Sequence, residues 1–525
     1  MKRLVSCFLI STGIIAVLYY LFNPTYHTND DNQWIWMLEA IGANSKAPPT
    51  AYTVYQHFLL GHIYQILPDY LDIFGYNWMH ILSQIMFLTA SIKLLITIKS
   101  YNPFISIFYA VSLSLVNFFL PQYSITPILL LASSLIFLSQ SKTVKDLYSV
   151  GSIILIIWAS MIRIEPFVFS VIVLTPYVIK ILKGPHQRIS LSLGILLSVG
   201  LAILNYTGTK SSTASGFFFK DLDRKIILDY KGRDYFYQNP EALKNTGLSI
   251  NDARFFGHWL LLDPEINKKI LDKKTIEKIN FSFTTRLNWG VESISFLLED
   301  RNLRYLFLLF VISVFCAKNS YAFLSCFIFL SAIFYSGYLG RTPLIRVYIG
   351  PLMVLSLLNI SFVSLNKKRS FYIIGAAVSL LFMTIRPLAH KTLWKEKTAK
   401  KRLIWVLDEM EKTNSDIIWW PFATNFGDDF YRIKNIPNIR KFSFVRPNYN
   451  WGDAKDPQAK NRHKKFKEDF PTKGISLVVD HLEGFPKYLP IFKDYCKEHF
   501  DGELKDTYVS KDDNTISIAT LKCIN

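Results

Sequence analysis

The residues most able to do chemistry lie near the start of the chain. Thr28-Asn29-Asp30-Asp31-Asn32 sets two adjacent carboxylates just beyond an apolar run. At a membrane surface such a pair can act as a general base, orient a substrate hydroxyl or hold a divalent cation. It can equally cap a helix predicted over Gln33–Ile41. Glu39 follows Asp31 by eight residues, about two helical turns, and would face the same way.

Two further clusters supply cations. Arg163-Ile164-Glu165 puts charges between apolar segments, where charge is costly and is paired or functional. Either the two side chains neutralise each other at a turn, or Arg163 grips a phosphate through two parallel hydrogen bonds. Gly340-Arg341-Thr342-Pro343-Leu344-Ile345-Arg346 carries two arginines that either pair with loop acids or bind an anionic headgroup. A fourth stretch holds Lys220-Asp221-Leu222-Asp223-Arg224, then Asp229-Tyr230, then Gly247-Leu248-Ser249-Ile250-Asn251-Asp252 and His258-Trp259. Ser249 is suited to cap a helix running through Asp252 and Phe256. Trp259 and its aromatic neighbours either stack on sugar rings or act as packing and interfacial anchors. There is no phosphate-binding glycine loop of the Walker type, no GxSxG, no HExxH, no CxxC pair and no dinucleotide fingerprint.

The elements that must position these groups are membrane helices. Of 525 residues, 50% are apolar and 15% aromatic, with a mean hydropathy of +0.22. The apolar residues collect in runs of roughly 14 to 22, the length a bilayer core demands. Disorder, a small disulfide scaffold and a plain cytosolic enzyme are excluded. The predicted spans are 4–22, 77–98, 104–120, 124–139, 146–162, 166–182, 189–206, 303–317, 321–338, 346–364 and 371–388. The first follows Lys2 and Arg3 with no small-residue cleavage site after it, and reads as an uncleaved helix rather than a signal peptide.

Charge orients the bundle. The formal net charge of +19 fits basic cytoplasmic ends of spans better than nucleic-acid binding, for which no motif is present. With the N-terminus inside, Lys99, Lys142, Lys145, Lys180, Lys183, Arg188, Lys318, Lys367, Lys368 and Arg369 all fall on the inner side. Arg341 and Arg346 are the outer exceptions. The pair of spans around Pro166 forms either a tight hairpin or one kinked helix; Pro166 suits the first turn of a new helix, and the basic loops favour the hairpin.

The predicted organisation is an N-terminal bundle over 1–206 with a first outer loop at 23–76, a large outer loop over 207–302, further spans over 303–389, and an outer domain over 390–525. Within the first loop, His57–Leu67 is amphipathic and suited to the membrane surface. The last domain alternates strand-like runs (Asp416–Phe422, Gly474–Val479, Thr515–Leu521) with a helix near Ala399–Lys412, the pattern of a small α/β domain. Cys7, Cys316 and Cys326 sit in apolar runs, whereas Cys496 and Cys523 could pair if the tail lies outside the cell.

Several of these motifs resemble a group of uncharacterised polytopic bacterial membrane proteins over roughly residues 1–350: Asn29-Asp30-Asp31, Gly61, Leu67-Pro68, Arg224 with Asp229-Tyr230, Gly247-Leu248-Ser249 with Asn251-Asp252 and Trp259, and Gly340-Arg341 with Arg346-Val347. The layout is similar to the C-type (GT-C) glycosyltransferases, polytopic enzymes with an acidic motif in the first outer loop. That resemblance implies transfer of a sugar or glycan from a polyprenyl-phosphate carrier to a glycan acceptor. It would make Asp30 or Asp31 the base or metal ligand, and Arg163, Arg341 and Arg346 candidates for the carrier's phosphate. Glu39, Glu165, Arg224 and Asp229 join them as candidate substrate-binding groups. Two departures stand. The acidic pair lacks the usual proline-rich setting, although Pro48-Pro49 lie nearby, and the second acidic motif has only Asp221, Asp223 or Asp229 to represent it.

The expectation is therefore a mainly α, multi-pass protein of the plasma membrane, with about eleven spans, a cytoplasmic N-terminus and an extracytoplasmic C-terminus. Its expected partners are the bilayer, a lipid-linked sugar donor and a glycan acceptor, without nucleic acid. A divalent cation is the one cofactor the carboxylate pair would suit. A glycan polymerase or ligase, a flippase or transporter and a non-catalytic envelope protein are the rival readings.

Overall fold

The computed structural model describes residues 2–22, 38, 51, 55–67, 75–98, 101–181, 184–211, 223–258, 260, 263–361, 374–389, 404–409, 412, 417–418, 444–445, 466–479, 485–510 and 516–524. Asp30, Asp31, Glu39, Asp221 and Trp259 lie outside the described residues.

Apolar composition and bilayer length yield a polytopic helix bundle. Lys2–Leu21, Gly75–Ile96, Pro185–Thr209 and Ser320–Tyr338 are long and apolar enough to cross a membrane. Pro103–Phe118, Thr126–Leu138, Leu147–Ile162, Ile345–Ser361 and Ile374–Ala389 are shorter apolar helices, joined by Ile164–Ile181 and Arg301–Ala317. Each of the eleven apolar runs contains one of these helices. Only 22% of the apolar window of Lys2–Leu21 and of Pro185–Thr209 is buried within the protein, against 83% for Gly75–Ile96. The first two helices therefore form the lipid-facing perimeter and the third lies inside the bundle. Several hydroxyls within the spans are satisfied by their own helix: Ser83 Oγ donates to Met79 O (2.6 Å), Thr89 Oγ1 to Ile85 O (2.7 Å) and Ser133 Oγ to Leu129 O (2.7 Å).

The segment at Pro166 is a hairpin. Leu147–Ile162 ends at Arg163, whose backbone is extended (φ −164°, ψ 120°), and Ile164–Ile181 begins at the next residue with Pro166 in its first turn. The far ends of both helices meet partners at the other end of the bundle. Ser149 hydrogen-bonds Ser190 near the start of Pro185–Ser211, and Tyr177 donates to Asn359 near the end of Ile345–Ser361. The short Phe58–Ile66 helix, nine residues long, is docked by its first residues. His57 N donates to Met161 O (2.8 Å), His57 Nε2 lies 2.9 Å from Leu201 O, and Phe58 N donates to Asn205 Oδ1 (3.0 Å).

A further long helix that packs against the bundle is not among the predicted spans. Phe283–Glu299 starts at the Ser282 cap and ends at Asp300, which in turn caps Arg301–Ala317. It packs alongside Ser320–Tyr338, with Gly290 beside Phe334 and Phe283 beside Tyr338. A Cβ on Gly337 would stand 2.5 Å from Trp289 O and 2.2 Å from Ser293 Oγ, and Tyr348 Oη donates to Ser293 O (3.1 Å). Eight of its 17 residues are large and apolar, but Arg286, Glu292 and Glu299 interrupt them, so no continuous apolar run marks the helix as a span.

The polar segments close over the same end of the bundle. Residues of 227–270 and of 466–523 share one hydrophobic core, in which the Phe255 ring stacks on Tyr495 at 4.6 Å. The sheet of the tail has the order β2-β1-β3-β5-β4, with β1 Ile417–Ile418, β2 Phe444–Val445, β3 Ile475–Val479, β4 Glu503–Ser510 and β5 Ser517–Ile524. β1 runs parallel to β2 and β3; β5 runs antiparallel to β3 and β4, with Leu477 opposite Ala519. Helix Leu489–Phe500 buries Ile491, Phe492, Tyr495 and Cys496, one face at helical spacing, and the Cys496–Cys523 disulfide ties it to β5.

Candidate functional site

Between the bundle and this polar cap lies a cavity of about 310 Å³. Its apolar wall comes from the helices: Ile125, Ile128, Phe169, Val347 and Pro351. Its polar wall holds Arg163, Glu165, Lys225, Tyr230, Arg341 and Arg346. Four cations and one carboxylate thus face a space whose other side is hydrocarbon-like.

Local sequence explains how each group arrives there. Arg163 is the single extended residue between two helices, so its side chain projects from the hairpin tip. Its Nη1 donates to Tyr123 Oη and Ser124 Oγ, both at 2.8 Å, and its Nε to Glu165 Oε2 at 3.3 Å. The guanidinium carbon stands 4.5 Å from the centre of the Tyr55 ring and 5.0 Å from that of Tyr123. Glu165 occupies the first turn of Ile164–Ile181, where the helix dipole favours a carboxylate. It also reaches Lys225 Nζ at 3.6 Å.

Lys225 lies in the helix over 223–228, next to Arg224. Arg224 is buried at 4% exposure and its Nη2 donates to Tyr55 Oη at 2.9 Å. The chain then turns, and Asp229 and Tyr230 meet the turn at 340–342. Arg341 Nη1 lies 3.8 Å from Asp229 Oδ2, with its guanidinium carbon 5.4 Å from the Tyr230 ring centre, and Thr342 N donates to Asp229 O (3.3 Å). Gly340 permits this approach. Its φ is +90°, and a Cβ there would come within 2.8 Å of Tyr230 O.

Of the candidates read from sequence, Arg163, Glu165, Arg341 and Arg346 come together in the cavity, with Arg224 and Asp229 immediately behind its wall. Arg163 and Glu165 pair, and Arg341 meets Asp229; Arg163, Glu165 and Arg341 also line the space, so pairing and pocket coexist. Asp30 and Asp31, the expected base or metal ligands, and Glu39, an expected substrate-binding group, lie outside the described residues. Lys225, Tyr55, Tyr123 and Ser124 escaped notice. Lys225 adjoins Arg224 and could have been found from that; the aromatic residues carry no sequence signal of their own.

A second polar cluster lies in the cap. Asp252, Glu498 and His499 bring ligand atoms within 4.8 Å of one another. These atoms are already engaged. Ser249 N donates to Asp252 Oδ2 (2.9 Å) and Asp252 N to Ser249 Oγ (3.0 Å), so the Ser249 cap expected from the sequence is part of a reciprocal capping box. Ser249 Oγ donates to Glu498 Oε2 (2.7 Å), and His499 Nε2 lies 2.7 Å from Asp252 Oδ1. That hydrogen bond holds the His499 pKa above its ordinary value, against partial burial. Burial first, then the charges of Arg233, Lys487 and Arg254, push His258 down to about 4.

No protein-family model matches the chain, and no curated protein matches it in sequence. Among solved structures, the chain is similar to the crystal structure of ArnT from Cupriavidus metallidurans bound to undecaprenyl phosphate. The TM-score is 0.42 at 10% sequence identity, covering 98% of this chain and 97% of that one.

Proposed function

We propose that this protein is a membrane glycosyltransferase that takes a sugar or glycan from a polyprenyl-phosphate carrier at the outer face of the plasma membrane, in envelope polysaccharide or glycoconjugate assembly. The observation that carries the reading is the cavity itself, with Arg163, Lys225, Arg341 and Arg346 on one wall and helix side chains on the other. A lipid phosphate presents that pair of surfaces: an anion at headgroup level and an apolar tail beneath it.

Its chemistry follows from charge. The acceptor hydroxyl oxygen forms a bond to the anomeric carbon while its proton passes to a carboxylate, for which Asp30 or Asp31 is the proposed base. The bond from that carbon to the carrier's phosphate oxygen breaks, and the electron pair leaves with the phosphate. Guanidinium and ammonium groups already in place stabilise that growing charge without reorganising. A divalent cation held by Asp30 and Asp31 would serve the same leaving group. Glu39 and Asp229 are proposed to position substrate hydroxyls.

Orientation belongs to the same proposal, with the N-terminus cytoplasmic and the cap extracytoplasmic. The Cys496–Cys523 disulfide supports it, because disulfides persist in oxidising compartments. The test replaces Asp30 and Asp31 by Asn, one at a time, and measures glycan product alongside the amount of inserted protein. Loss of product with normal insertion is expected from at least one variant. Normal product from both removes the proposed base.

A further inference from the structure

Tyr55 belongs to the first outer loop, and the two residues after it pin it to the bundle. Gln56, 1% exposed, donates from Nε2 to Tyr76 Oη (3.3 Å), and His57 bonds the backbone of Met161 and Leu201. The ring is held at a fixed place, and three cations from two distant parts of the chain meet on it. Arg163 stands 4.5 Å from its centre, Lys225 Nζ 4.9 Å, and Arg224 Nη2 donates to its hydroxyl at 2.9 Å. Tyr55 does not line the cavity; the cations it touches do, or adjoin those that do.

We propose that Tyr55 is a positioning residue that assembles the phosphate-binding wall by holding Arg163, Arg224 and Lys225 together. This rests on the carrier-phosphate reading of the cavity. Arg163 and Lys225 already share one carboxylate, Glu165, at 3.3 and 3.6 Å. Two like charges so close repel. The electron-rich face of an aromatic ring offsets that repulsion without adding a second carboxylate that would compete with an incoming phosphate. Lysine is the side chain that most needs such support, because its ammonium rides on four rotatable bonds. The hydroxyl has a separate task, to fix Arg224 and with it the short helix that carries Lys225. The first outer loop, which carries Asp30 and Asp31 in sequence, thereby bears one support of the cation wall.

The test is binding of farnesyl phosphate, a short polyprenyl phosphate, to the purified full-length protein in detergent. Inorganic phosphate and phosphatidylglycerol serve as competitors. Tyr55→Leu should weaken binding about tenfold, and Tyr55→Phe, which keeps the ring, about threefold or less. Two double-mutant cycles separate positioning from general support of the fold. Tyr55→Leu with Lys225→Met, and Tyr55→Phe with Arg224→Gln, should each bind no more weakly than about twofold below the worse single variant, because both changes remove one interaction. The second cycle retains the ring and the packing around it. Additive losses in that cycle, or Tyr55→Leu binding within twofold of the parent protein, would overturn the proposal. Inorganic phosphate competing as well as the lipid would leave the role of Tyr55 supported and remove the lipid carrier. A parent protein that binds neither farnesyl phosphate nor phosphate would overturn both.

Discussion

Two polar assemblies in this protein use the same residue types to opposite ends. In the cap, Asp252, His499, Ser249 and Glu498 form closed pairs beside a hydrophobic core, and Asp263 accepts from Tyr495 Oη (2.7 Å) while Lys467 stands 3.3 Å away. At the boundary with the bundle, Arg163, Lys225, Arg341 and Arg346 face a cavity, with Glu165 the one carboxylate lining it among the described residues. The first assembly joins segments more than two hundred residues apart and leaves little capacity for a ligand. The second leaves cations directed at open space. Ionisable groups become a binding site only when the fold gives them a volume to act on, and here the cavity distinguishes the two regions more clearly than their composition does.

The largest effect expected from breaking this contrast is at Arg163. Replacing it by Gln should lower glycan output by about 100-fold, since a charge-assisted hydrogen bond to phosphate is worth up to roughly 3 kcal/mol. Equal output from the variant, at matched protein level, would remove the phosphate role. In the cap, Cys496→Ser with Cys523→Ser should cost about 2–4 kcal/mol of stability. Farnesyl phosphate affinity should stay within about twofold of the parent in that variant, because the cap's pairs do not face the cavity. Thermal unfolding and binding of the same preparation read both quantities.

The helix Phe283–Glu299 lies between the regions and tests their joint. Gly337→Ala forces a methyl group against Trp289 O and should destabilise the protein by about 1–3 kcal/mol, measured as a lower melting temperature. The smallest effects are in pH dependence, where two histidines of the cap act in opposite directions. His499 has a raised pKa, so its stabilisation is present below the ordinary histidine pKa and fades as pH rises through the folded value. His258, pushed down to about 4, is held neutral, so its site loses stability as pH falls below the ordinary value toward 4. Melting curves between about pH 5 and 8.5 should show a flatter alkaline limb in His499→Gln and a flatter acidic limb in His258→Gln. A parallel displacement of the whole curve in either variant would contradict its assignment.

Much of the architecture was legible without coordinates, because apolar length is a local property. Each predicted run overlaps a helix, and the Ser249 cap and Pro166 each mark where a helix begins. Phe283–Glu299 is not among the predicted spans because Arg286, Glu292 and Glu299 interrupt its apolar residues. Strands β2 and β4 were likewise overlooked. β1 and β2 make only two-residue ladders, and β4 is exposed along almost its whole length, so neither β2 nor β4 presents a long buried apolar stripe.

At the candidate site the same division holds. Charges out of place in a membrane protein drew attention to Arg163, Glu165, Arg341 and Arg346 from sequence alone, since the cost of burying a charge is independent of its partners. Which of them would meet could not be read that way. Residues 55, 123, 163, 225, 230 and 341 converge through helix crossings, a hairpin tip and one glycine at φ +90°. Hydrophobic length and loop charge are summed along the chain and need only the sequence; proximity between a tyrosine and three cations from separate segments exists only once the helices have packed.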